Sequence, residues 1–288
     1  MADNRRYVSR SGKENVQKVF IYIFLALLCM IWLIPFFYLI FQAFRGESTA
    51  MVTYIIPKKW SLVNFETLFT KTNFLHWYMN TLIIALFNAV LQTIIVLSVA
   101  YALSRMRFRG RKFLMNLMLV LGMFPGFLSM IATYFILKLI GLTSGNSIPG
   151  LILVYAASSG MGYYIAKGFF DTIPRSLDEA ARIDGASRSR VFFRIIMPMA
   201  KPIIIYTIMM AFMAPWGDFM YASLITFGHE EAYNVAVGLY KWLDKEHINS
   251  YFTVFCAGGF CVSLPVTLLF MALQKYYVEG VTGGAVKG

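Results

Sequence analysis

Six apolar runs, each long enough to cross a lipid bilayer as helix, constrain this chain more than any other feature. They span 19–44, 81–104, 113–140, 148–170, 202–227 and 251–277. The hydrocarbon core of a bilayer takes about 20 residues of helix. Lipid offers no partner to an unpaired backbone group, so runs of this length predict helices rather than open strands. Charged residues make up only 14% of the chain, against about a quarter in soluble domains. The expected fold is all-α: a polytopic membrane protein with six transmembrane helices in one domain, 19–277. A segment 1–18 precedes it and a tail 278–288 follows. The basic flank of the first run invites a signal-peptide reading. The run is too long for that, and no small-x-small cleavage site follows it.

A formal net charge of +12 raises the question of nucleic acid, and the placement of the charge answers it. Arg5, Arg6, Arg10, Lys13 and Lys18 precede the first run, and Arg105, Arg107, Arg109, Arg111 and Lys112 join the second to the third. Arg175, Arg182, Arg188, Arg190, Arg194 and Lys201 join the fourth to the fifth, and Lys275 and Lys287 close the chain. The opposite side holds Arg45, Lys58, Lys59, Lys71, Lys241 and Lys245. This asymmetry predicts both termini in the cytoplasm. The charge orients the chain, and no nucleic-acid partner is implied. Cys29, Cys256 and Cys261 all fall in apolar runs, and His76, His229 and His247 are scattered. Neither set has metal-ligand or disulfide spacing, so no metal site is expected.

Polar residues inside the runs are candidates for function, because such groups face the bundle or a pathway. Asn88 and Gln92 lie four apart in the second run and therefore share a helix face. They suit either helix–helix hydrogen bonds or the lining of a polar conduit. Asp218, in the stretch APWGDFMYA of the fifth run, needs a partner or water. It reads as the outer end of a pathway or as half of a structural ion pair. Pro215 and Gly217 loosen the helix just before it. Pro35, Pro125 and Pro265 predict kinks that serve packing or hinge motion. The external loop 228–250 reads as a solvated loop, long enough to reach something outside. No phosphate-binding glycine motif, zinc-protease helix or nucleophile elbow is present. The chain is not expected to be an enzyme, and any chemical work falls to a partner.

The connection 171–201 interrupts the greasy chain with PRSLDEAARIDG followed by SRVFFRIIMP. Pro174 stops the preceding helix, and Ser176 with Glu179 has the S-x-x-E spacing of a capping box. Leu177, Ala180, Ala181 and Asp184 fall on one side of a short helix. Gly185 is placed to end it in the left-handed conformation and turn the chain. Val191, Phe192, Ile195 and Ile196 give a second short helix an apolar face, and Pro198 closes it. Two short helices hinged at a glycine, rimmed by arginines, suit a docking knob for a cytoplasmic protein. A helix lying on acidic lipid and a plain loop are the competing readings.

This stretch resembles the EAA loop of ATP-binding-cassette importer permeases, whose pattern is E-A-A, three residues, Gly, nine residues, then I-x-L-P. Glu179, Ala180, Ala181, Gly185, Ile195 and Pro198 match it, and Met197 replaces the usual Leu. The ending from Tyr251 to Gly288, WGDFMYA (216–222) and AVGLYKWL (236–243) are similar to the carbohydrate branch of that family, the maltose/maltodextrin type. The resemblance implies a permease subunit in a bacterial cytoplasmic membrane, paired with a second homologous permease as a heterodimer. Two cytoplasmic ATPase subunits would dock on the EAA loops and would bind the ATP and Mg2+, leaving no cofactor in this chain. Glu179 would meet a basic residue of the ATPase, and the tail GGAVKG would insert toward the ATPase dimer. An extracytoplasmic binding protein would deliver a sugar, and loop 228–250 would correspond to the one that probes it. An ion-coupled secondary transporter is the alternative. It calls for paired ionisable residues near mid-membrane, and Asp218 stands alone.

Overall fold

The structure, a computed structural model, describes residues 3–47, 54–123 and 126–282. Among them every named element is helical, and the one extended pairing is an isolated bridge between Arg45 and Trp60. Three helices are long and apolar enough to cross a membrane: Gln17–Ala43 within α1 (Asp3–Ala43), α3 (Phe74–Arg105), and Ile248–Tyr276 within α13 (Ile248–Thr282). Three pairs of shorter helices meet the same test together, so the spans number up to six if each pair counts as one.

The runs expected at 113–140, 148–170 and 202–227 are each interrupted rather than continuous. The third run divides into α4 (Arg111–Met123) and α5 (Gly126–Leu139). Pro125, which lies between them, is outside the described residues. The fourth run divides into α6 (Ser147–Ala157) and α7 (Gly160–Thr172), bent by 42° at Ser158 and Ser159. In the fifth, α10 (Lys201–Gly217) stops at Asp218, and α11 (Met220–Thr226) follows; the third bent pair is α10 with Arg188–Met199 before it, at 79°. Hydropathy is blind to such breaks, because two half-helices are as apolar as one whole. Pro35 and Pro265, by contrast, sit inside α1 and α13 without ending them.

α3 is the axis of the bundle. Its first half lies in one apolar core with Ala43, Leu68, Leu151, Trp216, Val235 and Ala257. Its second half lies in a second core with Ala166, Phe170, Ala181, Val191, Ile196 and Ile203. At 1.5 Å per residue, the 32 residues of α3 reach about 48 Å, so one rigid rod joins both ends. From Gln17 to Tyr38, α1 leaves its apolar surface uncovered by the rest of the chain.

Two polar residues between the first two long helices turn out to be structural. Arg45, counted among the basic residues of the outer side, is fully buried. Its guanidinium donates to Gln42 Oε1 at 2.8 Å and to the carbonyls of Tyr54 and Ile55 at 2.9 Å. The Asn64 amide, on α2 (Val63–Thr70), donates to the carbonyls of Ala43 and Arg45 at 3.0 and 2.7 Å. Its Oδ1 accepts from the Thr253 hydroxyl at 2.9 Å. Asn64 thus satisfies carbonyls at the end of α1 and fastens α1 to α13, while Arg45 ties the same end to residues 54 and 55.

Candidate functional site

The connection 171–201 forms a corner of two short helices, α8 (Arg175–Ile183) and α9 (Arg188–Met199). Gly185 adopts φ +78°. Its N–H donates to Arg182 O at 3.0 Å, and the Ala186 N–H donates to Ala181 O at 2.9 Å. That pair of bonds is the Schellman ending, which requires the left-handed glycine. Ser187 opens α9, its hydroxyl accepting from Arg190 N–H at 3.3 Å. Residues 192–196 of α9 are wound as a π-helix.

Two details of the sequence reading are corrected. The Ser176–Glu179 capping box does not form. Pro174 holds the N-cap position with no side-chain cap, so Ser176 already lies inside the first turn. The apolar face of α9 is not presented outward either. Val191 and Ile196 are 2% and 0% exposed and belong to the core shared with α3 and α7. What does face outward is Leu177, Ile183 and Phe193. Glu179, Ala180 and Pro198 are exposed, Ile195 is half-buried, and Ala181 is turned into the bundle, where its small side chain lets α8 lie close. Among the described residues none hydrogen-bonds or ion-pairs with Glu179.

The corner is clamped to the end of α3. Arg105, its side chain only 4% exposed, donates to the carbonyls of Phe170 and Ile173 at 2.8 and 2.6 Å, where α7 ends. The same guanidinium lies 3.4 Å from the Asp178 carboxylate on α8. The Ser104 hydroxyl donates to Asp171 Oδ1 at 2.5 Å, and Lys167 pairs with Asp171 Oδ2 at 2.5 Å. Arg175 returns to Ser104 O at 3.2 Å. Beside the clamp lies a cavity of about 550 Å³, lined by five arginines (105, 107, 175, 182 and 188) against two acids, Asp178 and Glu179. The balance is cationic. Sequence reading missed the clamp, whose partners lie 65 to 73 positions apart.

Asn88 and Gln92 share a face and are bonded at 3.1 Å. Asn88 is fully buried, and its amide donates to Ala211 O at 2.7 Å. Ala211 lies four residues before Pro215, whose missing N–H leaves that carbonyl without its helical donor. Asn88 therefore repairs the helix from outside. Gln92, half-buried, donates to the hydroxyl of Ser159, where α6 and α7 break.

Asp218, half-buried, sits at the break between α10 and α11 with extended backbone, φ −83° and ψ 102°. Its carboxylate accepts from Tyr155 OH, and also from Tyr221 N–H at 3.1 Å, which caps α11. No basic side chain pairs with it among the described residues.

The segment after α11 is not the solvated loop expected for 228–250. Ala232, Tyr233, Asn234 and most of α12 (Val235–Lys241) are buried, and exposure returns along residues 244–250. A stripe that begins at Asn73, the N-cap of α3, and runs at i, i+3, i+4, i+7 and i+8 holds this segment. Asn73 donates to Glu230 Oε1 at 3.0 Å, Trp77 Nε1 to Glu230 O at 3.1 Å, and Asn80 to the carbonyls of Glu231 and Tyr233 at 2.8 and 3.0 Å. His76 Nε2 lies 2.7 Å from Glu231 O, and Thr81 Oγ1 accepts from Val235 N–H at 2.8 Å. The spacing of these hydrogen-bonding side chains was the one available signal, since residues so spaced share a helix face.

Residues 94–283 match the family described as "Binding-protein-dependent transport system inner membrane component". The chain is 36% identical over 280 residues to the galactooligosaccharides transport system permease protein GanQ of Bacillus subtilis, covering 96% of this chain and 98% of that one. It is 36% identical over 282 residues to the maltodextrin transport system permease protein MdxG of the same organism, covering 98% and 100%. Among solved structures, a chain of a bacterial transporter importing the acidic polysaccharide alginate superposes with a TM-score of 0.77 at 22% identity, covering 92% of this chain and 98% of that one. That last match shows the fold.

Proposed function

The chain belongs to the family of binding-protein-dependent transport system inner membrane components, and from that premise we propose that it is a membrane-spanning subunit of an ATP-driven oligosaccharide importer. The named substrates of its relatives, galactooligosaccharides and maltodextrin, support the oligosaccharide class. In this reading the six apolar runs, three of them broken, are six spans, and segment 1–18, connection 171–201 and tail 278–288 lie in the cytoplasm. The last six residues of that tail, GGAVKG, are outside the described residues. A second, homologous permease completes the channel, two ATPase subunits bind ATP and Mg2+, and an external binding protein delivers the sugar.

The observation that carries the reading is the clamped corner. Glu179 stands exposed on α8 beside an arginine-lined cavity, and α8 is fastened through Arg105 and Asp178 to the rod that runs the length of the bundle. A push on α8 by the ATPases closing on ATP is thereby a push on α3. Asn88 and Gln92 join that rod to the broken helices at Ala211 and Ser159, so its movement re-aims α6, α7 and α10 together. The cavity between the two permeases then alternates between outward and inward access. Asn88, Gln92 and Asp218 act in this cycle as braces of the helix breaks that border the path.

The test is uptake by the complex, isolated in mild detergent and reconstituted in proteoliposomes with its binding protein. Oligosaccharide should accumulate only with hydrolysable ATP on the ATPase side. Uptake that follows an imposed proton or sodium gradient without ATP would establish the secondary-transporter alternative. A narrower test addresses Glu179. With no partner among the described residues, its carboxylate is available to a basic residue of the ATPase. Glu179→Gln should leave yield and gel-filtration profile unchanged and lower sugar-stimulated ATP turnover by about tenfold, a typical loss when one side of an interfacial charge pair is removed. Turnover at the wild-type level would remove Glu179 from the interface.

A further inference from the structure

We infer that Asn234 is a positioning residue that makes the break in α10–α11 respond to the outer segment 230–242; the inference rests on the permease reading. Asn234 is fully buried. Its amide donates to the carbonyls of Pro215 and Asp218 at 3.1 and 2.7 Å, and its Oδ1 accepts from Val237 N–H at 2.9 Å, capping α12. One side chain thus holds the end of α10 and the start of α12.

The Pro215 carbonyl has two possible donors. In a continuous helix it would receive the N–H of Phe219, four residues on. In the observed, interrupted form it receives the Asn234 amide instead. A buried carbonyl left with neither would carry the cost of an unmade hydrogen bond, so the break has two discrete arrangements rather than a continuum. Gly217, with open space around its Cα, and the extended backbone of Asp218 supply the freedom to pass between them. The position of α12 decides which arrangement is satisfied.

The outer segment is also the part of this end of the molecule that can sense a visitor. Residues 244–250 are mostly exposed and directly follow α12 and the buried Trp242. The segment rests on α3 through hydrogen bonds, Thr81 Oγ1 to Val235 N–H among them. A binding protein that pulls on 244–250 would withdraw Asn234 from the two carbonyls and favour the continuous helix. The two ends of the molecule would then be linked, because the same α3 ends at the Arg105 clamp.

The experiment compares ATP turnover of the reconstituted complex with and without loaded binding protein. Asn234→Asp keeps the shape, removes both donors and turns an acceptor toward two carbonyls. We expect its basal turnover within about twofold of wild type and its stimulated turnover down by about tenfold, within the range typical of coupling between sites. Thr81→Val, which deletes only the hydroxyl under Val235, should lower stimulation by about threefold, and Thr81→Ser should restore it. Full stimulation in Asn234→Asp overturns the inference, as does a proportional fall of basal and stimulated turnover, which a merely structural role would give. If Asn234→Asp fails to assemble, the Thr81 pair decides, and unchanged stimulation in Thr81→Val overturns it. A wild-type complex that its loaded binding protein does not stimulate overturns the permease reading, and the inference with it.

Discussion

Gly238→Ala should destabilise the protein by about 2–3 kcal/mol, the cost of overpacking a filled core. A Cβ at this position would lie 2.0 Å from Trp77 Cε3 and 2.3 Å from Cδ2, well inside contact distance. The indole has no easy retreat. Its Nε1 donates to Glu230 O, its ring packs 5.5 Å from that of Trp242, and the residue is 2% exposed. On the far side, Gly258 of α13 lies so close that its own added Cβ would come within 2.5 Å of Leu239 Cδ2. The short α12 is therefore fitted between α3 and α13 by two glycines. Intrinsic helix propensity points the other way, since alanine is favoured over glycine by about 1 kcal/mol inside a helix. A loss of stability would thus report the contact alone. The measurement is the monodisperse fraction after detergent extraction together with the thermal midpoint, both of which should fall. Adding Trp77→Phe, which shrinks the ring in the way, should recover part of the loss, a non-additivity expected only of touching residues. A midpoint at or above wild type would show that α12 is less tightly held than its contacts indicate.

That contact was invisible in the sequence, and the reason is physical. The run AVGLYKWL is short and mixed, and its burial depends on Trp77, some 160 positions away, and on Gly258. Nothing in its own composition separates a solvated loop from a plugged one. The long apolar helices were legible because lipid imposes one requirement over about 20 consecutive residues. The Gly185 corner was legible because the Schellman ending needs a left-handed residue at a fixed offset. The shared face of Asn88 and Gln92 followed from the helical repeat. Their partners did not, because Ala211 needs a donor only on account of Pro215. The capping box was misplaced because the helix starts two positions early, with Pro174 rather than Ser176 at the N-cap. Arg45 was counted as a surface charge because composition carries no information on the carbonyls it closes. Local rules, in short, located helices and one corner, whereas the side chains that join one element to another became visible only in three dimensions.

Arg105→Ala should uncouple ATP turnover from uptake. The substitution removes the donor to two carbonyls at the end of α7 and the counter-charge of Asp178, whose side chain is 13% exposed. Asp178 Oδ1 already lacks a partner. Breaking a buried pair from one side costs about 3–5 kcal/mol because the remaining charge is left uncompensated, and beside the arginine-lined cavity, where water can enter, the lower end is the better guide. Docking need not be lost, because Glu179 and the exposed apolar residues Leu177, Ile183 and Phe193 do not depend on the clamp. What is lost is the rigid link between α8 and α3. The expected result is a complex that retains its ATPases, hydrolyses ATP within about threefold of wild type, and imports sugar about tenfold less per ATP consumed. Arg105→Lys should recover only part of the coupling, because an ammonium cannot hold two carbonyls and a carboxylate with the planar fork of a guanidinium. Asp178→Asn offers the complementary test, since it removes the stranded charge while keeping the shape. Combined with Arg105→Ala, it should raise stability without restoring transport. Sugar imported per ATP at the wild-type ratio in Arg105→Ala would mean that force reaches the bundle by another route, with α9 and its buried Val191 and Ile196 the next place to look.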